Sequence, residues 1–598
     1  MTYPLSNQIR PSQVTGVFGP GSIYDNQIDS MIIMGLNRWK SEEFHPITEE
    51  LLLREIRKNT LKDLTQLVSI SSHQDPDHPG QIPVKSFPIW GYCSSCKKLQ
   101  KRNERGLKTK CISIECTSKE HIAPSKIFPV RYVAVCANGH LDEFPWYRWA
   151  HRTEEERNKC PENKAQLYLI NNYKSLSLDS TILECRNHSC GASRSMGGSL
   201  SKNGLRGIKV YCSGRRPWLD DAGGDCTSDK GQVVMQGIFK GATNMYFPLI
   251  RRAVTIPRFG DELAQMIYQN REIISTRNNT KNFDVWLEVQ FRLKTTDNPE
   301  GRWTSKDVKE RIGLIEKLDD KMDIRRIEFG ALDSGDRITE GVLQIETLEN
   351  KPASLALVKR GVLAKSIRIV SAVTGFTRLE PFDPNERRVS PVGKGRIEWL
   401  PVSENIGEGI FMSFQNNAME DWQRTEVVRD RFSDLMTIPN IDNLKLEDVQ
   451  YSPKYIFLHT LSHMIIRSIA RNAGYTTASL KERIYCDKDM AGILIYTASS
   501  SSDGSLGGLT GLGNRNSNRI WRILEDGLDG SATCSCDPLC SMQEAKKMPR
   551  MVGAACHACT LLPETCCESM NNLLDRELVV KTLRSDEAGF FKKWTRFT

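Results

Sequence analysis

The cysteines constrain the fold of this chain most strongly: there are 18 among 598 residues, and many occur in close pairs. The first residues, MTYPLSNQIRPSQ, lack the charged and then apolar layout of a secretory signal, which predicts a cytoplasmic protein with reduced thiols. Reduced cysteines in close pairs are typical of zinc ligands rather than disulfides. The sequence therefore predicts small modules stabilised by metal.

The last cluster of cysteines lies between residues 534 and 576. Cys556 and Cys559 have the two-residue spacing of a zinc knuckle, and Cys540 and Cys567 flank them at loop distance, with enough chain to close a tetrahedron. The neighbouring alternatives are Cys534, Cys536 and Cys566. We predict a closed zinc site formed by the first four, which stabilises the fold and leaves no open position for water.

A second cluster, GYCSSCKKLQKRNERGLKTKCISIEC, has the two paired spacings of a zinc ribbon. The predicted ligands are Cys93, Cys96, Cys111 and Cys116. Basic residues between the two pairs far outnumber the single acid; they are Lys97, Lys98, Lys101, Arg102, Arg105, Lys108 and Lys110. A concentrated basic face suits a phosphate backbone, and a solvated surface is the alternative. We predict nucleic-acid contact by these side chains.

A third set of cysteines is more widely spaced. The predicted ligands are Cys185, Cys190, Cys212 and Cys226, and the further candidates are Cys136, His140 and Cys160. Spacing leaves their grouping open. The aromatic residues that follow His140 are Phe144, Trp146 and Trp149, which we interpret as core rather than as a base-stacking surface. In total the sequence predicts two or three zinc ions.

The rest of the chain predicts a multidomain α+β protein with small zinc modules and a C-terminal α/β domain closed by a zinc-binding segment. The predicted domains are 1–88 (Gly-rich loop and helix), 89–230 (zinc-ribbon region), 231–445 (mixed α/β with a charged helical insertion) and 446–598 (C-terminal domain). The Gly-rich turn, Gly16 to Gly21, matches neither a P-loop nor a dinucleotide fingerprint, so a structural turn is favoured over nucleotide binding. The charged segment from Asp284 to Leu332 fits an insertion or a partner-binding surface.

The strongest helix prediction is Tyr455 to Ala473, which Gly474 ends. His459 and His463 lie one turn apart in it, but Thr460 replaces the glutamate of an H-E-x-x-H protease, so packed or hydrogen-bonded histidines are favoured over metal ligands. A Ser/Gly-rich loop, Ser502 to Gly513, follows a predicted buried strand and shows no nucleophile pattern.

Charge and hydropathy limit the partners of the chain. The formal net charge of +9 permits a polyanion partner without requiring one. No apolar run approaches the roughly 20 residues of a membrane span. We therefore expect no membrane association, and nothing in the sequence predicts a small-molecule substrate.

Several motifs spread over most of the chain carry a family resemblance. They are RPSQ with FGPGSIYD, CANGHLDEFPW, CSGRRPW, GATNMYFP, LHTLSHMIIRSIARNAGY with SLKERIY, SSDGSLGGL, and GAACHACTLLPETCCESMNNLLDR. In their order and number these motifs resemble the DrmB proteins of DISARM anti-phage defence systems. That family carries a C-terminal domain of unknown function also found joined to certain superfamily 2 helicases.

The resemblance implies a non-catalytic subunit of a bacterial defence complex. Its partner would be the DISARM helicase DrmA, which supplies ATP hydrolysis, and the complex would engage foreign DNA. One alternative is a metal-dependent nuclease or other phosphodiesterase that uses His459, His463 or Asp503. A further alternative is a scaffold that binds only protein.

Overall fold

A computed structural model gives the fold of the protein. It describes residues 9–26, 29–70, 81–102, 110–117, 126–171, 177–228, 231–278, 280, 282–295, 298–316, 323–335, 338, 341–381, 388–436, 452–497, 508–513, 519–544 and 552–594. Helices and strands both contribute extensively, so the α+β prediction is confirmed. Among the described helices, none has the length and apolar character that crossing a membrane requires.

The chain divides into two compact units, each assembled from three separate segments. Unit 1 contains Met1–Pro46, Asp63–Arg251 and Ala372–Ser403, and unit 2 contains Ile47–Lys62, Arg252–Ser371 and Glu404–Thr598. The division falls within the long strands Phe247–Val254, Val358–Thr377 and Trp399–Phe414, and next to the end of the short strand His45–Ile47.

Unit 1 consists mainly of short antiparallel strands. Its three-stranded sheets are Ile23–Asp25 with Ser30–Ile33 and Val84–Ser86; Leu99–Lys101 with Trp90–Cys93 and Ile127–Pro129; Leu141–Glu143 with Tyr132–Val135 and Gln236–Phe239; and Leu167–Asn171 with Thr181–Cys185 and Ser193–Ser195. Thr227–Ser228 pairs with Gly231–Gln232, and Gln66–Ser69 runs parallel to Trp399–Phe414. The helices are Pro11–Val14, Ile114–Thr117, Trp146–Ala150 and Glu154–Lys159. Strands this short bury little apolar surface, which is consistent with modules that need metal.

The Gly-rich turn near the start of unit 1 is packed into its core. Gly21 has a φ of +88°, which L side chains rarely adopt, and a Cβ at that position would lie 2.5 Å from the Phe376 ring. A Cβ on Gly19 would lie 2.5 Å from the Tyr246 hydroxyl oxygen. The Gly residues therefore allow close packing of aromatic rings, in agreement with the predicted structural turn.

Unit 2 combines a β-sheet with helices. Its strands, apart from the long ones above, are Gln344–Thr347, Leu480–Asp487 and Met490–Thr497. Its helices are Glu50–Asn59, Pro257–Gly260, Glu262–Gln269, Arg271–Arg277, Phe283–Gln290, Ser305–Glu316, Ile324–Asp333, Asn416–Gln423, Glu426–Met436, Pro453–Ala473, Gly508–Leu512 and Arg519–Ala532. The strands Leu480–Asp487 and Met490–Thr497 form an antiparallel hairpin, and every residue of the second is buried.

The helix Pro453–Ala473, hereafter the core helix, organises unit 2. Ser452 caps its first turn by accepting a hydrogen bond from the Tyr455 N–H, and Pro453 occupies the first helical position. Gly474 ends it with a φ of +74°, as the sequence predicts. Sixteen of its residues are buried, so apolar and polar side chains alike face the interior. A helix buried on most sides must satisfy its polar groups within the protein.

The charged segment from Asp284 to Leu332 reaches into this interior. Its last helix, Ile324–Asp333, contributes Glu328, whose carboxylate is fully buried and binds Arg483 of the strand Leu480–Asp487. The ring of Phe329 contacts the rings of Phe411 and Tyr485. This end of the segment is therefore part of the core of unit 2 rather than a free partner-binding surface.

A buried glutamate gives unit 2 a predicted pH dependence. Burial raises the pKa of Glu49 to about 7, although Thr255 donates to its carboxylate at 2.6 Å and the Arg368 guanidinium lies 3.8 Å away. The unfolded chain would have the ordinary glutamate pKa of about 4.3. Between these two pKa values the folded state holds a proton on Glu49 more tightly than the unfolded state does, so the free energy of unfolding falls as pH rises from about 4.3 to about 7. Glu49→Gln mimics the protonated acid and should remove that loss.

The measurement is the melting temperature of wild type and Glu49→Gln at several pH values between about 5 and about 8. The melting temperature of Glu49→Gln should rise relative to that of wild type as pH rises. The control is Glu272→Gln, which changes an exposed glutamate on a helix. A difference in melting temperature that stays constant across this range would contradict the assignment.

Candidate metal centres

The zinc-ribbon cysteines come together as the sequence predicts. The Sγ atoms of Cys93 and Cys116 lie 3.7 Å apart, and those of Cys96 and Cys111 lie 3.5 Å apart. Four thiolates around a zinc ion at about 2.3 Å would have sulphur separations of about 3.8 Å. These separations fit a tetrahedral ion and are far longer than a disulfide bond of about 2.05 Å.

Backbone geometry and backbone N–H groups position the sulphur atoms of Cys93 and Cys111 in this ribbon. Cys93 ends the strand Trp90–Cys93, and Lys97 turns the chain with a φ of +67° before the strand Leu99–Lys101 returns. The Ser95 N–H donates to Cys93 Sγ at 3.4 Å, and the Ser113 N–H donates to Cys111 Sγ at 3.4 Å. Hydrogen bonds of this kind stabilise thiolates.

The basic residues that the structure describes in the ribbon do not all lie on its surface. Arg102 is buried, where it binds the Asp29 carboxylate and donates to the Pro88 carbonyl at 2.6 Å. The prediction that Arg102 contacts nucleic acid is therefore wrong, because its charge is paired with Asp29 in the interior. Lys101 and Lys110 are exposed, and Lys97 and Lys98 are half-buried. Arg105 and Lys108 lie outside the described residues.

The wider-spaced cysteines form two groups rather than the single set predicted from the sequence. The first group is Cys136, His140, Cys212 and Cys226. His140 Nδ1 lies 3.4 Å from Cys136 Sγ and 3.5 Å from Cys212 Sγ. The Gly214 N–H donates to Cys212 Sγ at 3.3 Å, and the Asn138 amide donates to Cys226 Sγ at 3.3 Å. The hairpin of Tyr132–Val135 and Leu141–Glu143 presents the Cys-x3-His pair.

The second group is His151, Cys160, Cys185 and Cys190. His151 Nε2 lies 3.1 Å from Cys190 Sγ, and Cys160 Sγ lies 3.8 Å from Cys185 Sγ. His151 Nδ1 faces the Tyr147 carbonyl at 3.1 Å, so it donates there and leaves Nε2 free for a metal. Sequence reasoning missed His151; the available signal was its position directly after the helix Trp146–Ala150 and nine residues before Cys160.

The aromatic residues beside these groups are core, as predicted. Phe144, Trp146 and Trp149 are each at most 2% exposed, and their rings contact one another at centroid distances of 4.8 and 6.0 Å. They pack the segment that carries His140 and His151. No face of these rings is available to stack on a base.

The C-terminal cysteine group differs from the prediction by one ligand. It is formed by Cys534, Cys540, Cys556 and Cys559. The Sγ separations are 3.5 Å for Cys534 and Cys556, 3.7 Å for Cys540 and Cys559, and 3.7 Å for Cys556 and Cys559. Cys567 does not join this group. Its sulphur atom lies near His459, His463 and Glu482 in the core of unit 2.

A buried arginine compensates the charge of this C-terminal group. Arg576 Nη2 lies 3.6 Å from Cys540 Sγ and 3.2 Å from Asp537 Oδ1, while Nη1 and Nε donate to the carbonyls of Ser531 and Ala554. Four thiolates on one zinc ion carry a net charge of −2, so a guanidinium at this distance is favourable. The Thr560 hydroxyl also donates to Cys559 Sγ at 3.2 Å, which stabilises the thiolate form of this ligand.

The histidines of the core helix are buried, and each contacts a backbone carbonyl through Nδ1. His459 Nδ1 faces the Leu573 carbonyl at 3.1 Å, and His463 Nδ1 faces the Thr560 carbonyl at 3.1 Å. Neither imidazole is exposed to solvent. Asp503, the third residue of the nuclease alternative, lies outside the described residues, as do residues 502–507 of the Ser/Gly-rich loop.

Two family models match parts of this chain, and one of them concerns the C-terminal cysteine group. Residues 10–247 match a family model described as a domain of unknown function, DUF8724. Residues 461–560 match the MrfA Zn-binding domain, and this range contains all four cysteines of the C-terminal group. The chain therefore contains a zinc-binding domain.

One curated protein and one solved structure align with this chain to very different extents. The DISARM protein DrmB of Bacillus paralicheniformis is 28% identical over 596 residues, which cover 95% of this chain and 99% of that protein. The crystal structure of the DUF1998 helicase MrfA bound to DNA aligns with 33% of this chain and 22% of its own, at 10% identity and a TM-score of 0.17. That TM-score is too low to relate the two folds.

Proposed function

We propose that the chain belongs to the DrmB family of DISARM anti-phage defence proteins. In this role it is a zinc-stabilised, non-catalytic subunit that partners the superfamily 2 helicase DrmA and helps it hold foreign DNA. The observation that carries this proposal is the similarity to a DISARM DrmB protein along almost the whole length of both chains. Membership of the defence system implies partners within that system. ATP hydrolysis is assigned to the helicase.

The composition of the metal centres supports a structural role. Each of the four cysteine-rich groups offers four protein ligands, which fill the tetrahedral positions of a zinc ion. An ion without an open position binds no water and therefore activates none. The centres fix loop-rich segments whose exposed faces are then available for docking.

The nuclease alternative receives little support from the geometry. His459 and His463 are fully buried, and their Nε2 atoms point towards Glu482 and Cys567 rather than towards a cleft. A phosphodiester could not reach these nitrogen atoms without unfolding the core of unit 2. Incubation of the purified chain with DNA and Mg²⁺ or Mn²⁺ should therefore yield no cleavage.

The proposed DNA contact is tested on the two exposed lysines of the ribbon. We expect the double substitution Lys101→Glu and Lys110→Glu to weaken DNA binding by the complex of this chain with the helicase. It should also reduce the slope of log affinity against log salt by about 2, since each lost phosphate contact removes about 0.9. Fluorescence anisotropy on a duplex with a single-stranded overhang, at several salt concentrations, measures both quantities.

The matched control changes the same net charge elsewhere. Lys58 and Lys306 are exposed on helices of unit 2, and their double substitution by glutamate should leave the affinity and the salt slope nearly unchanged. Equal losses in both variants would show a nonspecific charge effect. A chain that co-purifies with the helicase but adds nothing to its DNA affinity would instead favour the protein-only scaffold.

A further inference from the structure

Among the described residues, a fifth group of metal-ligating side chains lies in the core of unit 2 and shares no ligand with the cysteine-rich groups. It consists of His459, His463, Glu482 and Cys567, whose ligand atoms all lie within 4.8 Å of one another. The family model for the zinc-binding domain begins at residue 461 and ends at residue 560, so it contains only part of the set.

Three elements bring the four side chains together. The core helix presents His459 and His463 on one face, because they are four residues apart. The strand Leu480–Asp487 contributes Glu482, and Cys567 follows the single turn Glu564–Cys566. His459 Nε2 lies 3.0 Å from Cys567 Sγ and 3.1 Å from Glu482 Oε1, and His463 Nε2 lies 3.5 Å from the same oxygen.

The surrounding hydrogen bonds aim lone pairs at the centre of the group. Carbonyl oxygens only accept, so the Nδ1 atoms that face Leu573 and Thr560 must donate, which turns Nε2 of His459 and His463 inward. His463 Nε2 is buried and has no hydrogen-bond partner among the residues that the structure describes. An unpartnered nitrogen at full burial is costly unless something binds it.

The two anionic ligands are held in the same manner. Cys567 Sγ accepts from the N–H groups of Ser569 at 3.3 Å and Asn571 at 3.2 Å. Glu482 Oε1 accepts from the Glu568 N–H at 3.1 Å, and the Ser462 hydroxyl donates to Oε2. These donors stabilise a thiolate and a carboxylate, so the interior contains two negative charges close together.

We propose that this group binds a structural zinc ion through two imidazoles, one carboxylate and one thiolate. Zinc accepts nitrogen, oxygen and sulphur ligands together in a tetrahedron, whereas Ca²⁺ and Mg²⁺ require mostly oxygen ligands. The charges of Zn²⁺, one carboxylate and one thiolate sum to zero, which suits a site whose imidazoles and carboxylate are fully buried. The inference does not depend on the proposed role in DNA binding.

The proposed ion would connect the core helix to the C-terminal zinc-binding segment. Thr560 is the link, because its carbonyl accepts from His463 while its hydroxyl donates to Cys559 Sγ at 3.2 Å. Cys559 is itself a ligand of the C-terminal cysteine group. The neighbouring Glu568 extends the connection, since it binds Arg325 at 3.1 Å and accepts from the Ile484 N–H. The ion therefore fixes the last part of the chain on the helix and the sheet.

The test begins with the wild-type chain, so that it does not depend on the folding of a variant. Zinc released by denaturation of the purified full-length chain, counted by mass spectrometry of the element and by a chromogenic chelator, should reach five ions per chain, one for each group. Four ions, or a metal other than zinc as the fifth, would overturn the proposal.

Variants then assign the fifth ion to this group. Cys567→Ser should lose one zinc ion per chain and lower the melting temperature, whereas Cys567→His, which restores a ligand, should recover the ion. The matched control is Cys566→Ser, because Cys566 is the adjacent buried cysteine and its thiol donates to the Thr477 carbonyl outside the group. An undiminished zinc count in Cys567→Ser would show that the four side chains form a buried double ion pair without a metal.

Discussion

Replacement of Cys559 by serine is expected to release the zinc ion of the C-terminal cysteine group and to unfold the segment around it. The thiolates of Cys534, Cys540 and Cys556 would lose the ion that neutralises them, and that of Cys540 is buried. Structural zinc contributes on the order of 10 kcal/mol to small zinc domains, so the loss should far exceed that of an ordinary cysteine substitution. Zinc counting and limited proteolysis of residues 534–576 measure both effects.

The same group contains its own control. Cys536 is exposed and lies between two ligands, but its side chain does not belong to the tetrad. Cys536→Ser should keep the full zinc count, whereas Cys534→Ser should lose one ion. Loss of an ion in Cys536→Ser and a full zinc count in Cys534→Ser would contradict the assignment of Cys534 to this group.

Glu328→Gln is expected to destabilise unit 2 by about 3 to 5 kcal/mol, which is typical when one partner of a buried ion pair is removed. The Glu328 carboxylate accepts from Arg483 Nη2 at 2.9 Å, from the Tyr485 hydroxyl at 3.0 Å and from the Val254 N–H at 2.8 Å. The amide of glutamine can neither neutralise the guanidinium nor accept all of these donors. Denaturant unfolding followed by a probe in unit 2 measures the change.

An exposed ion pair in the same unit provides the comparison. Glu262 binds Arg302 with side chains that are 60% and 72% exposed. Glu262→Gln should change the free energy of unfolding by less than about 1 kcal/mol, as exposed pairs generally do. Similar effects for the two substitutions would mean that burial does not dominate the contribution of Glu328.

Local patterns in the sequence were sufficient for several parts of the structure. The core helix and its end at Gly474 follow from apolar spacing and a glycine stop, and the buried strand Met490–Thr497 follows from a continuous apolar run. The zinc ribbon follows from two close cysteine pairs, since a knuckle places both sulphur atoms within one turn. Each of these features depends on residues that are near one another in the chain.

The grouping of distant ligands could not be predicted in this way. Loop-closure entropy changes by only about 0.6 kcal/mol for each doubling of loop length, so sequence separation does not distinguish Cys534 from Cys567 as the fourth C-terminal ligand. Sequence separation likewise does not show that His151 joins Cys160 in one group. It also does not pair Glu482 with His459, because the two residues share no local sequence pattern. Arg102 likewise reads as a surface charge until the buried carboxylate of Asp29 is located.

The sequence by itself determined that this chain uses clustered sulphur ligands, because closely spaced thiols are restricted to one turn of backbone. The tertiary structure decided which clusters combine, which basic side chains remain exposed and which cysteine enters the core of unit 2. The physical reason is that ligand sets and buried charges are selected by the packing of whole segments, each of which supplies only one or two members of a group.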